Sequence, residues 1–143
     1  MNTVRDILHK KGNTVYGVSP DSSVYDALEA LEEKNLGALV VVENGKLIGV
    51  FTERDYARKV ILKGRSSKET LVRHIMSSRP VFVTPDTTIE ECMQMMTEKF
   101  IRHLPVLNSE EELIGLVSIG DVVKYIIYEK DFIIEHLEMY IRS

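Results

Sequence analysis

VYGVSPDSSVYDALEALEEKNLGALVVVENGKLIGVFTERD (15–55) runs parallel to VFVTPDTTIEECMQMMTEKFIRHLPVLNSEEELIGLVSIGD (81–121). Pro20-Asp21 matches Pro85-Asp86, Ala27-Leu28 matches Cys92-Met93, and the apolar run from Leu39 to Val42 matches Leu104 to Leu107. One extra residue in the second hairpin shifts the register, after which Leu47-Ile48-Gly49 meets Leu113-Ile114-Gly115. Thr52 and Asp55 then meet Ser118 and Asp121. Apolar classes and turn residues agree over about 40 positions, which marks the duplication of one small unit.

Each copy predicts the same local structure. An extended piece (Tyr16 to Val18; Val81 to Val83) meets a proline turn and then a helix. Ser22 or Ser23 is placed to cap the first helix, and Thr87-Thr88 followed by Glu90-Glu91 offers a capping box for the second. Val24, Ala27, Leu28 and Leu31 form an i, i+3, i+4, i+7 face that Ile89, Cys92, Met93 and Met96 repeat. The run Leu39 to Val42 is β-branched and continuous, as a strand covered on both faces requires. Asn44-Gly45 is a hairpin turn signal, and the returning strand Leu47 to Phe51 gives way to a helix at Thr52.

These elements define an α/β (α+β) fold of tandem βαββα repeats with pseudo-twofold symmetry, packed through their sheets, plus a carboxyl-terminal helix. A unit of under 60 residues buries little core alone, so the copies are expected to pack together. The first repeat with a helical lead-in is placed at 4–62, a polar linker at 63–69, the second repeat with its lead-in at 70–128, and a helical extension at 129–143. The lead-ins are themselves related, because Leu71 to Met76 resembles Val4 to Leu8. The tail carries Val122, Val123, Ile126, Ile127, Phe132, Ile133, Leu137 and Tyr140. That stripe either covers the module's own core or seals a subunit interface.

Composition narrows the function. The 143 residues are 44% hydrophobic and 28% charged, and the net charge is −4. Such a balance argues against disorder and against nonspecific nucleic-acid binding. The longest apolar stretch, Leu36 to Val42, is far too short to cross a bilayer, and the amino end lacks a signal peptide's apolar core. A soluble, cytoplasmic protein with no membrane partner is expected. One cysteine, Cys92, allows neither an intramolecular disulfide nor a cysteine metal cluster, and it reads as small core filling. His9, His74, His103 and His136 lack metal-site spacing. There is no glycine-rich phosphate loop and no nucleophile elbow.

Two constellations carry binding chemistry. Thr52-Glu53-Arg54-Asp55 and Ser118-Ile119-Gly120-Asp121 each sit where a strand becomes a helix. Either tetrad serves as a plain helix cap. Equally, a helix amino end favours an anion, a hydroxyl donates to phosphate, and a carboxylate accepts from the ribose hydroxyls. Arg102-His103, where the first copy has Gly37-Ala38, offers a bidentate phosphate contact and a second donor. Arg54 is the best remaining cation. Arg58, Lys59, Lys124 and Arg79 read as solvated helix faces, and Lys10-Lys11 as a fraying helix end.

With the doubled proline-turn-helix start, the Arg-His-Leu-Pro-Val segment, the Leu-Ile-Gly strand and the doubled Ser/Thr-x-x-Asp, the chain resembles a CBS domain pair, or Bateman module, over roughly residues 4–128. The resemblance implies a regulatory ligand, AMP, ADP, ATP or NAD, with no catalytic cofactor and no enzymatic activity. It implies that Thr52 and Asp55 serve one cleft and Ser118 and Asp121 the other. Backbone around Tyr16, Val18, Phe82 and Thr84 would flank adenine, while Arg102 and His103 would face phosphate. The first copy departs from the family pattern with Gly37-Ala38 in place of Arg-His, which puts its phosphate clamp in question. The resemblance further implies a homodimer and a regulated protein partner acted on in trans. A structural or protein-interaction module and a small nucleotide-processing enzyme are the alternative readings.

Overall fold

Asn44 and Gly45 both hold positive φ, 52° and 77°, which closes a two-residue turn whose twist matches its flanking strands. In the computed structural model, which describes residues 2–142, that turn joins β2 (Ala38–Glu43) to β3 (Lys46–Thr52). A short parallel strand β1 (Gly17–Val18) adds to β2, and β4 (Ser77–Ser78) adds antiparallel to β3, in the order β1-β2-β3-β4. Between β1 and β2 runs α2 (Val24–Lys34), capped by Ser23, whose side chain accepts from the Asp26 amide. Asn35 ends it in the left-handed conformation that asparagine tolerates. After β3 comes α3 (Glu53–Lys59).

The second copy repeats the plan with α4 (Ile89–Lys99), β5 (His103–Leu107), β6 (Leu113–Ser118) and α5 (Ile119–Arg142). Its first extended piece joins β5 only through a parallel bridge between Val83 and Val106. The capping box expected at Thr88 and Glu91 is complete. The longer hairpin is held by Asn108, whose side-chain oxygen accepts from the amides of Glu110 and Glu112.

Each copy has its own core, and each core is completed by the lead-in of the other copy. Val24, Ala27, Leu31, Leu39, Val41 and Phe51 pack with Val72 and Ile75, from the lead-in of the second repeat. Ile89, Cys92, Met96, Leu104, Val106 and Val117 pack with Val4, Ile7 and Leu8 of α1 (Val4–Lys11). The backbone repeats this crossing. The Val72 and Arg73 amides donate to Ser22 and Pro20, while those of Val4 and Arg5 donate to Thr87 and Pro85. Arg73 also pairs with Asp21 and Arg5 with Asp86. Only the first lead-in is an α-helix; the second has a 3-10 turn at Val72–His74.

The crossing explains the glycine of the doubled Leu-Ile-Gly. A Cβ on Gly49 would sit 2.7 Å from the Met76 sulfur and 2.9 Å from the Ser77 carbonyl oxygen. One on Gly115 would sit 2.8 Å from Leu8 Cδ2. Both are contacts that no side chain tolerates without movement.

Of the two fates open to the tail, covering the module's own core ends early. Val122 is buried and Tyr125 and Ile126 pack on the second core, but Ile127, Phe132, Ile133, Leu137 and Tyr140 are all more than half exposed. Among the described residues no helix is long and apolar enough to cross a membrane.

Candidate functional site

Both tetrads are capping boxes. At the first, the Thr52 hydroxyl oxygen accepts from the Asp55 amide at 3.1 Å, while Asp55 Oδ2 accepts from the Thr52 amide and hydroxyl, each at 3.0 Å. At the second, Ser118 Oγ accepts from the Asp121 amide at 3.1 Å, and Asp121 Oδ2 accepts from the Ser118 amide at 2.8 Å. Satisfying helix-terminal amides accounts for the spacing. At Asp55 the second carboxylate oxygen meets further partners, whereas at Asp121 the capping oxygen Oδ2 takes the further partner as well.

Asp55 itself lines a cleft of about 920 Å³. Asp55 is only 7% exposed, and its Oδ1 lies 3.2 Å from Lys59 Nζ and 3.5 Å from Ser77 Oγ. Thr52, Arg54 and Arg58 line the same cleft from the first copy, and Arg102, His103 and Lys99 line it from the second. Arg54 spans the two copies, its Nη1 donating to the Phe100 carbonyl at 2.9 Å. Within each copy a matching backbone bond holds the strand entry in place. The Glu53 amide donates to Gly37 O and the Ile119 amide to Arg102 O, so both strand entries sit against a helix amino end.

The basic residues beside the first tetrad are drawn from the second copy as well as the first. Arg102 and His103 stand in the cleft of the first tetrad, Thr52 and Asp55, not in that of their own copy. The His103 ring lies against Gly37, where a Cβ would make ordinary contact at 3.5 Å from both Cε1 and Nε2. Burial is the main cause that pushes the His103 imidazole below its usual pKa, helped by the positive charges of Lys11 and Arg102 and opposed by Asp121. At neutral pH His103 is therefore an uncharged hydrogen-bonding group.

Asp121 lies in a smaller cleft of about 390 Å³, beside Lys10, Lys124, Tyr125 and Tyr128. There Lys11 Nζ donates to Asp121 Oδ2 at 2.5 Å and to the Leu116 carbonyl at 2.6 Å. Burial raises the Asp121 pKa, but the bonds from Lys11 and Ser118 outweigh it and leave the carboxyl below its usual value. Lys10 sits 3.2 Å above the Tyr128 ring. The two lysines, expected at a fraying end, are thus anchored.

The other expected residues are spread more widely. Tyr16, Val18, Phe82 and Thr84, placed against adenine by the resemblance, line neither cleft. Tyr16 lies beneath Lys34, Val18 is in β1 and packs on the first core, and Thr84 bonds with Thr87. Ser77, Ser78, Arg79, Pro80 and Val81 line the first cleft instead, because β4 lays this segment along β3. Arg79 and Arg58, read as solvated, face that cleft, and Lys99 joins them. The signal for this segment was the crossed lead-in, visible only as a resemblance between Leu71–Met76 and Val4–Leu8. Among the described residues no group of three His, Cys, Asp or Glu is placed to hold a metal ion.

Comparison with known proteins agrees with this architecture. A family model described as the CBS domain matches residues 4–62 and 72–128. The CBS domain-containing protein CBSX3, mitochondrial, of Arabidopsis thaliana is 42% identical over 99% of this chain and 72% of its own length. A structure of a putative signal-transduction protein with CBS domains from Burkholderia ambifaria is 48% identical, covers 89% of this chain and 95% of that one, and superposes with a TM-score of 0.86. The structure of CBSX2 in complex with AMP is 30% identical, covers 91% and 99%, and has a TM-score of 0.72.

Proposed function

Since this chain belongs to the CBS-domain family, whose modules are generally regulatory and non-catalytic, we propose that it senses an adenine nucleotide and acts on a protein partner in trans. The observation that carries this reading is the meeting, in one cleft, of Thr52 and Asp55 from the first copy with Arg102 and His103 from the second. A carboxylate for ribose and a cationic group for phosphate are what a nucleoside phosphate requires at its two ends. The relative bound to AMP supports the same ligand class.

The larger cleft is the proposed site, and it gives one nucleotide per chain. The smaller one has less than half the volume, and among the described residues its lining contains no arginine. Calorimetry with AMP and 2′-deoxy-AMP tests the reading. The deoxy compound should bind more weakly by about 1.5–3 kcal/mol, the worth of a hydrogen bond to a charged acceptor. Equal affinities would remove the ribose role, and a stoichiometry of two would remove the assignment to one cleft.

The completeness of both capping boxes favours a second reading, a scaffold whose tetrads act only as caps. That reading predicts no nucleotide binding at all. A homodimer belongs to the proposal too, supported by the apolar face that α5 leaves uncovered beyond Ile126. Sedimentation equilibrium showing a monomer throughout the micromolar range would overturn it.

A further inference from the structure

The first cleft has an imbalance of charge that the ribose and clamp residues do not explain. Five cationic side chains line it, Arg54, Arg58, Arg79, Lys99 and Arg102, in a chain whose net charge is −4. None of the five has a carboxylate partner among the described residues, whereas Arg5, Lys11, Lys59 and Arg73 all do. The acids in the lining are Glu53 and Asp55, and Asp55 is already paired with Lys59. Like charges gathered on one concave surface repel one another, and a bound anion relieves that repulsion. The cations also come from separate elements. Arg54 and Arg58 lie on α3, Lys99 ends α4, Arg102 precedes β5, and Arg79 follows β4 with a φ of 53°.

We infer that this cleft selects the polyphosphate end of its ligand, so that ATP and ADP, not AMP, are its preferred adenine nucleotides. The inference rests on the nucleotide reading above for the adenosine half and on the charge count for the rest. One phosphate carries at most two negative charges, fewer than five unpaired cations invite. A triphosphate reaches further along the lining and carries about twice that charge.

Titration of the full chain by calorimetry, without magnesium and at low salt, tests it with adenosine, AMP, ADP, ATP and inorganic tripolyphosphate. Affinity should rise along the nucleotide series, with ATP at least tenfold tighter than AMP, and tripolyphosphate should compete with ATP. Raising the salt should narrow the gap, because the interactions are exposed to screening. In the double variant Lys99→Gln, Arg102→Leu, both sites being exposed, the gap between ATP and AMP should shrink to about threefold or less.

ATP binding no tighter than AMP, with adenosine still bound, would overturn the inference alone. Tripolyphosphate binding as tightly as ATP, with adenosine unbound, would keep the polyphosphate site and overturn the nucleotide reading. No binding by any of the five would overturn both.

Discussion

Lys11 and Asp121 form a partly buried ion pair across 110 residues, with Nζ 2.5 Å from Oδ2 and side-chain exposures of 33% and 18%. The pair ties the end of α1 to the start of α5, and it occupies the aspartate that duplication makes the counterpart of Asp55. Asp55 is ion-paired too, but locally, with Lys59 one turn along α3, so the matched tetrads differ in where their cation comes from.

Replacing Lys11 by Met keeps the length and removes the charge. Because the pair is part-exposed, stability at pH 7 should fall by only about 1 kcal/mol. The lowered pKa of Asp121 contributes stability above the ordinary carboxylate range, which is lost as pH falls through the folded value. Urea melts at pH 7 and pH 3 should therefore show a smaller acid loss in Lys11→Met than in the parent. Parallel losses would mean that the pair contributes nothing to folding.

The two aspartates should respond differently to the same substitution. In Asp55→Asn the buried cap loses its charge beside Lys59, and stability should drop by about 1–2 kcal/mol. Nucleotide affinity should fall tenfold or more, about 1.4 kcal/mol. In Asp121→Asn affinity should stay within about twofold, because its cleft is not the proposed site. Calorimetry on both variants decides, and equal losses at the two positions would contradict the one-cleft assignment.

His103 should make stability depend on pH on the acid side of neutrality. Its folded pKa is lowered, so the unfolded chain binds the proton more readily. Stability should be full above the unfolded value of about 6.5 and decline as pH falls toward the lower folded one. His103→Asn should flatten that part of the curve in thermal melts between pH 7 and 5. A profile as steep as the parent's would assign the effect elsewhere.

Gly49→Ala should cost more than Gly115→Ala. The new methyl at position 49 meets the Ser77 backbone as well as the Met76 sulfur, while at position 115 it meets only the flexible end of Leu8. Overpacking of this kind costs about 1–3 kcal/mol, and the backbone contact belongs at the upper end. Denaturant melts compare the two directly.

Cys92 should be inert in the folded protein. It is fully buried, and burial, reinforced by Glu91, pushes its thiol up to about 11. Iodoacetamide at pH 8 should label it only after unfolding, read by intact mass. Rapid labelling of the native chain would place it outside the core.

Much of this protein was determined by sequence within short reach. The Ser23 and Thr88 caps, the Asn44-Gly45 turn and the apolar faces of α2 and α4 depend on residues a few positions apart, and all stand as the local chemistry requires. Duplication doubled those signals, which is why the tandem repeat was legible. Its very symmetry hid the rest. Two copies with matching lead-ins and matching strands satisfy the same local rules whether each lead-in packs on its own repeat or on the other. The tertiary structure chose the crossed arrangement. Val72 and Ile75 fill one core, Val4 and Leu8 the other, and Arg102 and His103 face Asp55. The charge of the cleft was likewise invisible in a chain of net −4, because its five cations come from scattered segments that only the folded backbone brings together.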